Sequence, residues 1–282
     1  MNKRFNFILL TITFFVLFIQ IQSVSAVPIT IKSFNTDSFN RTDVLKSRLL
    51  DPSNFGPGGI VQDISFYFEN VSAITPENLA GADIFVASFP HEGTTTISHS
   101  EAQLLKNYVT SGGSLIVTSD GHPLSFESTN IIGSFFNSVS FDAGGGGPKV
   151  EINDIDESIA PMITNGPFGT VGTLSWSANS VGKIVAEGGS KLIDDFGMLS
   201  VINPTATAGS VVFYADSDLL YTGSSPYYIG DWDALNLNIF SYSANSSRIN
   251  NPIPEPTTMA LFGLGLLGLA GIGRRKTSHI QN

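Results

Sequence analysis

The chain has 282 residues, a formal net charge of −10 at pH 7 and no cysteine. The absence of thiols excludes disulfides, thiolate catalysis and cysteine-ligated zinc. The acidic balance argues against nucleic acid as a partner, because an acidic surface repels a phosphate backbone.

The N-terminus has the features of a secretory signal peptide. Lys3 and Arg4 precede an apolar run at residues 7–21, and small residues lead up to Ala26. This order of a basic region, an apolar region and a small-residue cleavage site predicts removal of residues 1–26 by signal peptidase during export. The mature domain then begins at Val27.

From Val27 onward, short apolar strands alternate with amphipathic helices. Because such alternation implies right-handed βαβ crossovers, it predicts a mainly parallel sheet between two layers of helices. We therefore expect an α/β three-layer sandwich over residues 27–244. Its predicted strands are 29–34, 60–68, 82–89, 114–119 and 211–215, and its predicted helices are 40–50, 98–111, 126–137 and 233–244.

Residues 144–208 differ from the rest of this domain. They contain clustered glycines, prolines that include Pro161 and Pro167, and short β-rich pieces, which together predict an antiparallel β-rich insertion. The polar, proline-containing stretch at residues 245–253 is typical of a linker.

The C-terminal tail consists of three parts in a fixed order. A proline–glutamate–proline triplet is followed by an uncharged apolar run and then by a basic cluster: Pro254, Glu255 and Pro256; residues 257–273; and Arg274, Arg275 and Lys276. As a helix the apolar run would span about 25 Å, slightly less than a hydrocarbon core of about 30 Å. The basic cluster predicts a cytoplasmic end, with the preceding chain on the far side of the membrane.

This tail resembles the PEP-CTERM sorting signal of Gram-negative bacteria. The resemblance implies that an exosortase processes the chain near Pro254–Pro256 and that the C-terminal helix enters the inner membrane transiently. It also implies delivery to the cell surface or to an exopolysaccharide (biofilm) matrix. The alternative is an ordinary single-pass membrane anchor.

The domain has its own resemblance. Two parts of the domain resemble class I glutamine amidotransferase-like domains. The first comprises residues 101–109, Gly112, Gly113 and the strand after them, and the second comprises residues 209–218 with Asn236 and Asn238. The resemblance implies a flavodoxin-like fold. The cysteine nucleophile of that family is missing here, and no histidine lies between Pro123 and the tail.

Polar residues follow several of the predicted strands, where open parallel sheets bind their ligands. They are His91 and Glu92 after the third strand, Ser119, Asp120 and His122 after the fourth, and Asp216 and Asp218 after the last. One hypothesis is a serine hydrolase with Ser119 as nucleophile and His91 or His122 as base. The favoured alternative is a non-catalytic domain that acts in binding or structure, with exopolysaccharide as a ligand inferred from the tail. Its ligand cleft would be lined by Glu92, Asp120, Asp216 and Asp218.

Closely spaced aspartates form a further candidate site. Asp216 with Asp218, and Asp231 with Asp233, supply the carboxylate oxygens that Ca²⁺ prefers. The alternative roles for these aspartates are helix N-caps and solvent-exposed turns, and Asp233 stands at a predicted helix start.

Overall fold

The structure is a computed structural model. It describes residues 26–35, 43–89, 96–136, 139–143, 150–152, 160–176, 182–186, 190–193, 199–202, 208–220 and 228–250. The described strands are β1 (Val27–Phe34), β2 (Ile64–Val71), β3 (Ile84–Ser88), β4 (Ser114–Thr118), β5 (Val139–Ala143), β6 (Val150–Ile152), β7 (Asn165–Gly166), β8 (Gly169–Thr170), β9 (Leu174–Trp176), β10 (Gly182–Ala186), β11 (Ser190–Ile193), β12 (Leu199–Ile202), β13 (Val211–Tyr214) and β14 (Tyr228–Gly230). The described helices are α1 (Asp43–Leu50), α2 (Pro76–Leu79), α3 (His99–Thr110), α4 (Pro123–Ser134), α5 (Pro161–Thr164) and α6 (Trp232–Asn250), with a 3-10 turn at Ser217–Leu220.

A seven-stranded sheet forms the centre of the domain, in the order β2-β1-β3-β4-β13-β12-β11. The first five of these strands run parallel, whereas β12 and β11 add antiparallel neighbours at one side. The chain moves outward from β1 to β2 and then back across β1 to β3. Such a reversal of direction creates a crevice at the carboxyl ends of the strands, where doubly wound sheets bind ligands.

Helices cover both faces of this sheet and bury two separate apolar cores. One core lies under α1 and α6 and includes Leu45, Leu49, Leu235, Ile239 and Phe240. The other lies under α2, α3 and α4 and includes Leu79, Leu105, Val109 and Ile132. The predicted α/β architecture with a mainly parallel sheet is confirmed.

The described strands of the insertion form antiparallel pairs, some of them with β5 and β14, which lie outside residues 144–208. β5 pairs with β10, β9 lies between β6 and β14, and β7 pairs with β8. Among the strands that the structure describes in this region, β11 and β12 join the central sheet and the others do not.

Two predicted boundaries are wrong, and in both cases local hydrogen bonding or helix capping accounts for the difference. β2 begins at Ile64 rather than at Ile60, since the Ile60 and Val61 amides donate to the Ser53 and Asn54 carbonyls and close a turn. Helix α4 begins at Pro123, three residues earlier than predicted, with His122 as its N-cap. Proline favours the first position of a helix, because that position needs no amide donor.

Helix α6 is longer than predicted and takes up the first part of the predicted linker, so that residues 245–250 are helical. Its last turns have contacts that the sequence did not indicate. Arg248 forms an ion pair with Asp63 at 2.5 Å, and Ser247 is buried with its hydroxyl donating to the Ala244 carbonyl. A linker can therefore begin only after Asn250.

A half-buried carboxyl just before β3 predicts a pH dependence of stability. Asp83 accepts a hydrogen bond from the Thr30 amide at 2.8 Å, and desolvation by burial outweighs this bond and raises the pKa of Asp83 above 3.8. The folded protein thus holds this proton more tightly than the unfolded chain, so stability falls as pH rises through the pH range in which Asp83 titrates.

We expect Asp83→Asn to gain stability over the wild type at neutral pH and to lose that advantage in acid. Urea unfolding across pH 3–7 measures this difference, and Glu127→Gln, at an exposed position, is the control for general charge effects. A constant offset between Asp83→Asn and the wild type at every pH would contradict the prediction.

Candidate functional site

The predicted catalytic and cleft residues that the structure describes lie where β4 and β13 end. These strands are neighbours, with Thr118 paired to Tyr214, so Ser119 and Asp120 lie close to Asp216 and Ser217. His91, Glu92 and the side chain of Asp218 lie outside the described residues. The described part of the site therefore rests on two strand ends and the beginning of α4.

Ser119 has no exposed surface. Its Oγ lies 3.2 Å from both Ser125 Oγ and Thr129 Oγ1, and its amide donates to the Tyr214 carbonyl at 3.0 Å. Ser125 Oγ in turn donates to the Phe89 carbonyl at 2.6 Å and accepts from the Asp120 amide at 2.8 Å. A serine nucleophile needs access to substrate and a base within hydrogen-bond reach. The described partners of this hydroxyl are other hydroxyls, which join β4 to α4.

Sequence reasoning missed Ser125 and Thr129. They are four residues apart on α4 and therefore share one face of that helix. Both are buried against the sheet, together with Ser128. The signal in the sequence that could have identified them was Pro123, which favours a helix start. A helix that begins there includes Ser125, which with Ser128 and Thr129 forms a serine- and threonine-rich face that packs inward.

Asp120 and His122 take part in local hydrogen bonds. Asp120 Oδ2 accepts from Ser217 Oγ at 3.2 Å, which connects the segments that follow β4 and β13. His122 Nδ1 accepts from the Leu124 amide at 3.3 Å and so caps α4. Asp216 is almost fully buried, with 1% of its surface exposed. These contacts give the polar residues at this edge roles in holding the segments together.

The aspartates considered for calcium are divided among different structural contacts. Asp231 Oδ2 accepts from the Gly172 and Thr173 amides at 2.9 and 3.1 Å, whereas Asp233 forms an ion pair with Arg48 at 3.4 Å. Within the part of the chain that the structure describes, no three His, Asp or Glu side chains cluster closely enough to hold a metal ion. The calcium hypothesis therefore gains no support from these residues.

A groove of about 520 Å³ lies away from the predicted site. Gln62 and Asp63, which immediately precede β2, form part of its wall, and Ile60, Met162 and Pro167 supply its apolar surface. Ile60 and Met162 are 56% and 50% exposed. The one ionisable side chain among its lining residues is Asp63, which is paired with Arg248. No sequence motif predicted this groove.

Comparison with known families decides the role of the tail. Residues 252–276 match the family described as the PEP-CTERM protein-sorting motif. The chain carries a PEP-CTERM sorting motif. The match includes the predicted triplet at Pro254–Pro256 and the basic cluster at Arg274–Lys276, so the predicted sorting signal is confirmed. The motif indicates export, processing by an exosortase, and a surface or extracellular location in a Gram-negative bacterium.

The sequence also predicts a membrane-spanning helix in the tail. None of the helices in the described ranges is long and apolar enough to cross a bilayer. The apolar run of the PEP-CTERM tail, residues 257–273, lies outside those ranges.

The domain itself is similar to solved structures only at the level of fold. A search of curated proteins finds no match to this chain. The mmIFT52 N-terminal domain is 13% identical and similar over 77% of this chain and 97% of its own length, with a TM-score of 0.54. A cold-adapted β-galactosidase from Rahnella sp. R3 is 14% identical over 82% of this chain, with a TM-score of 0.46, and the chain spans 33% of its length. A cytoplasmic protein from Salmonella typhimurium is 12% identical over 76% of this chain and 98% of its own length, with a TM-score of 0.45. The first of these likenesses supports an α/β fold and carries no information about activity.

Proposed function

We propose that the α/β domain of this exported protein acts in binding or structure, without catalysis, and that its ligand at the cell surface is exopolysaccharide. The sorting motif supports this proposal because it indicates delivery to the cell surface or outside the cell, where a surface polymer would be met. The observation that carries the non-catalytic part is the burial of Ser119, whose hydroxyl contacts Ser125 and Thr129. A nucleophile without exposed surface has no route to a substrate.

The proposal includes membership of the class I amidotransferase-like group. It is supported by the parallel strand order β2-β1-β3-β4-β13, which corresponds to the doubly wound order 2-1-3-4-5. The segment after β4, where that group carries its cysteine, here contains the enclosed Ser119. We interpret the domain as one that keeps the scaffold and has lost the reacting group.

An activity assay tests the non-catalytic part. We expect the processed protein to hydrolyse p-nitrophenyl esters and anilides no faster than Ser119→Ala does. Ser125→Ala is the matched control, because it removes a neighbouring hydroxyl that no hypothesis assigns to the reaction. Hydrolysis by the wild type that Ser119→Ala abolishes and Ser125→Ala retains would establish the serine hydrolase instead.

A binding assay tests the ligand. We expect the processed protein to co-sediment with exopolysaccharide isolated from the producing strain, in a saturable manner, and to retain this binding in Ser119→Ala. Recovery of the protein entirely in the supernatant, at polymer concentrations that saturate a known polysaccharide-binding control, would contradict the ligand assignment.

A further inference from the structure

The two edge strands of the central sheet differ in how well they are protected against pairing with another chain. β11 has four residues, includes a lysine, and shows a register shift between Lys191 and Ile193. β2 has eight residues, contains neither proline nor glycine, and pairs with β1 without interruption from Ile64 to Val71. Natural edge strands are usually short, bulged, charged or interrupted by proline, because a long regular edge is a template for β-pairing. Only the β11 edge has several of these protections.

The hydrogen-bonding groups on the outer side of β2 can be assigned from its register with β1. The Val27 amide donates to the Asp63 carbonyl at 2.9 Å while Val27 pairs with Ile64. In a parallel ladder of this register, the odd-numbered residues of β2 direct their amides and carbonyls toward β1. The even-numbered residues, including Ile64, Phe66 and Asn70, therefore direct theirs outward. Among the described residues, no strand pairs with this outer side.

The charge on β2 is small and is compensated within the chain. Glu69 is the one ionisable carboxylate of the strand, and the ammonium of Lys32 lies 3.5 Å from it. Lys32 is itself 9% exposed and also donates to the Ala80 carbonyl at 3.0 Å, so it is held next to the strand. The edge consequently lacks the uncompensated charge that keeps many edge strands apart.

The centre of β2 reads the same in both directions. Phe66, Tyr67 and Phe68 form an aromatic triplet, and the Tyr67 side chain is 60% exposed. Two copies of β2 paired antiparallel about a twofold axis at Tyr67 would place Tyr67 opposite Tyr67 and Phe66 opposite Phe68. Aromatic cross-strand pairs are favourable. Glu69 would lie opposite Ser65, so no like charges would be directly opposed.

We propose that the protein forms a twofold-symmetric dimer through antiparallel pairing of β2 with β2 of a second copy. The contact is isologous, because the same strand serves both subunits, and it closes after two chains. It joins two seven-stranded sheets into one continuous sheet and leaves the two β11 strands as its edges.

The absence of cysteine makes a single introduced thiol a direct test. In the proposed dimer the two Tyr67 residues form a non-hydrogen-bonded pair with Cα atoms about 4.5 Å apart. Disulfides bridge Cα separations of roughly 4.4–6.8 Å. We expect full-length Tyr67→Cys, exported and processed in an exosortase-bearing Gram-negative host, to migrate mainly as a covalent dimer on a non-reducing gel and as a monomer after reduction.

Glu69→Cys is the matched control, since it lies on the same strand and the same face. The two copies of residue 69 would be four residue steps apart, about 14 Å, which is too far for a disulfide. A covalent dimer in Tyr67→Cys and none in Glu69→Cys supports the proposal. Equal crosslinking in the two variants, or none in Tyr67→Cys at wild-type export levels, overturns it.

A second pair of variants tests the interface without crosslinking. Asn70→Pro removes an outward amide and leaves the ladder to β1 intact, because proline is tolerated on the open side of an edge strand. We expect the wild type and Asn70→Ala to sediment as dimers and Asn70→Pro to sediment as a monomer with unchanged circular dichroism. A monomeric wild type, or a dimeric Asn70→Pro, would overturn the proposal.

Discussion

Replacing Asn238 with leucine is expected to destabilise the domain by about 3 kcal/mol, because three backbone groups at buried or partly buried positions would lose their hydrogen-bond partner. The side chain of Asn238 is fully buried on α6. Its amide nitrogen donates to the carbonyls of Ile163 and Gly169 at 2.9 and 3.0 Å. Its carbonyl oxygen accepts from the Phe168 amide at 3.0 Å.

These three bonds attach the α5–β7–β8 segment to α6, so their loss should release that segment as well. Urea unfolding of Asn238→Leu and of Asn107→Leu measures the difference, since Asn107 is an exposed asparagine on α3. We expect a small change in Asn107→Leu, because exposed substitutions usually change stability by less than about 0.5 kcal/mol. Equal losses in the two variants would show that the three hydrogen bonds of Asn238 are not the cause.

Asn238 also illustrates what the sequence could not reveal. Its importance depends on residues 163–169, which lie about 70 positions away in the chain and meet α6 only after folding. The enclosure of Ser119 is a similar case. The sequence placed Ser119 correctly after β4, but its partners Ser125 and Thr129 became neighbours only because α4 packs on that strand end.

Local signals were more reliable. The predicted helix at 98–111 begins with a local capping box: the Ser98 amide donates to Glu101 Oε2 at 2.8 Å, and the Glu101 amide donates to Ser98 Oγ at 3.2 Å. The alternation of strands and helices was sufficient for the α/β class, because hydrophobic periodicity is set by each element alone. The end of α6 was missed, since its last turns depend on the distant ion pair between Arg248 and Asp63. The sorting tail was recognised from three adjacent features that need no tertiary context.

Gly209→Ala is expected to destabilise the domain by about 3 kcal/mol, at the upper end of the usual effect of overpacking. Gly209 leads into β13, and its amide donates to the Val109 carbonyl at 2.9 Å. A Cβ on Gly209 would overlap the Gly113 carbonyl and would lie 2.9 Å from the Gly112 oxygen. These obstacles are backbone atoms, which cannot rotate away as a flexible side chain can.

The turn that Gly209 meets has little freedom of its own, which is why the clash should be severe. Gly112 has a φ of +105°, a conformation that disfavours any side chain, and a Cβ on Gly113 would overlap the Tyr108 ring. The paired glycines after α3 thus allow the start of β13 to approach the start of β4.

Gly58→Ala is the control, because a Cβ there meets nothing within 4 Å. Thermal and urea unfolding should show a large loss for Gly209→Ala and almost none for Gly58→Ala. Wild-type unfolding midpoints in Gly209→Ala would mean that this close backbone approach does not exist in the folded protein.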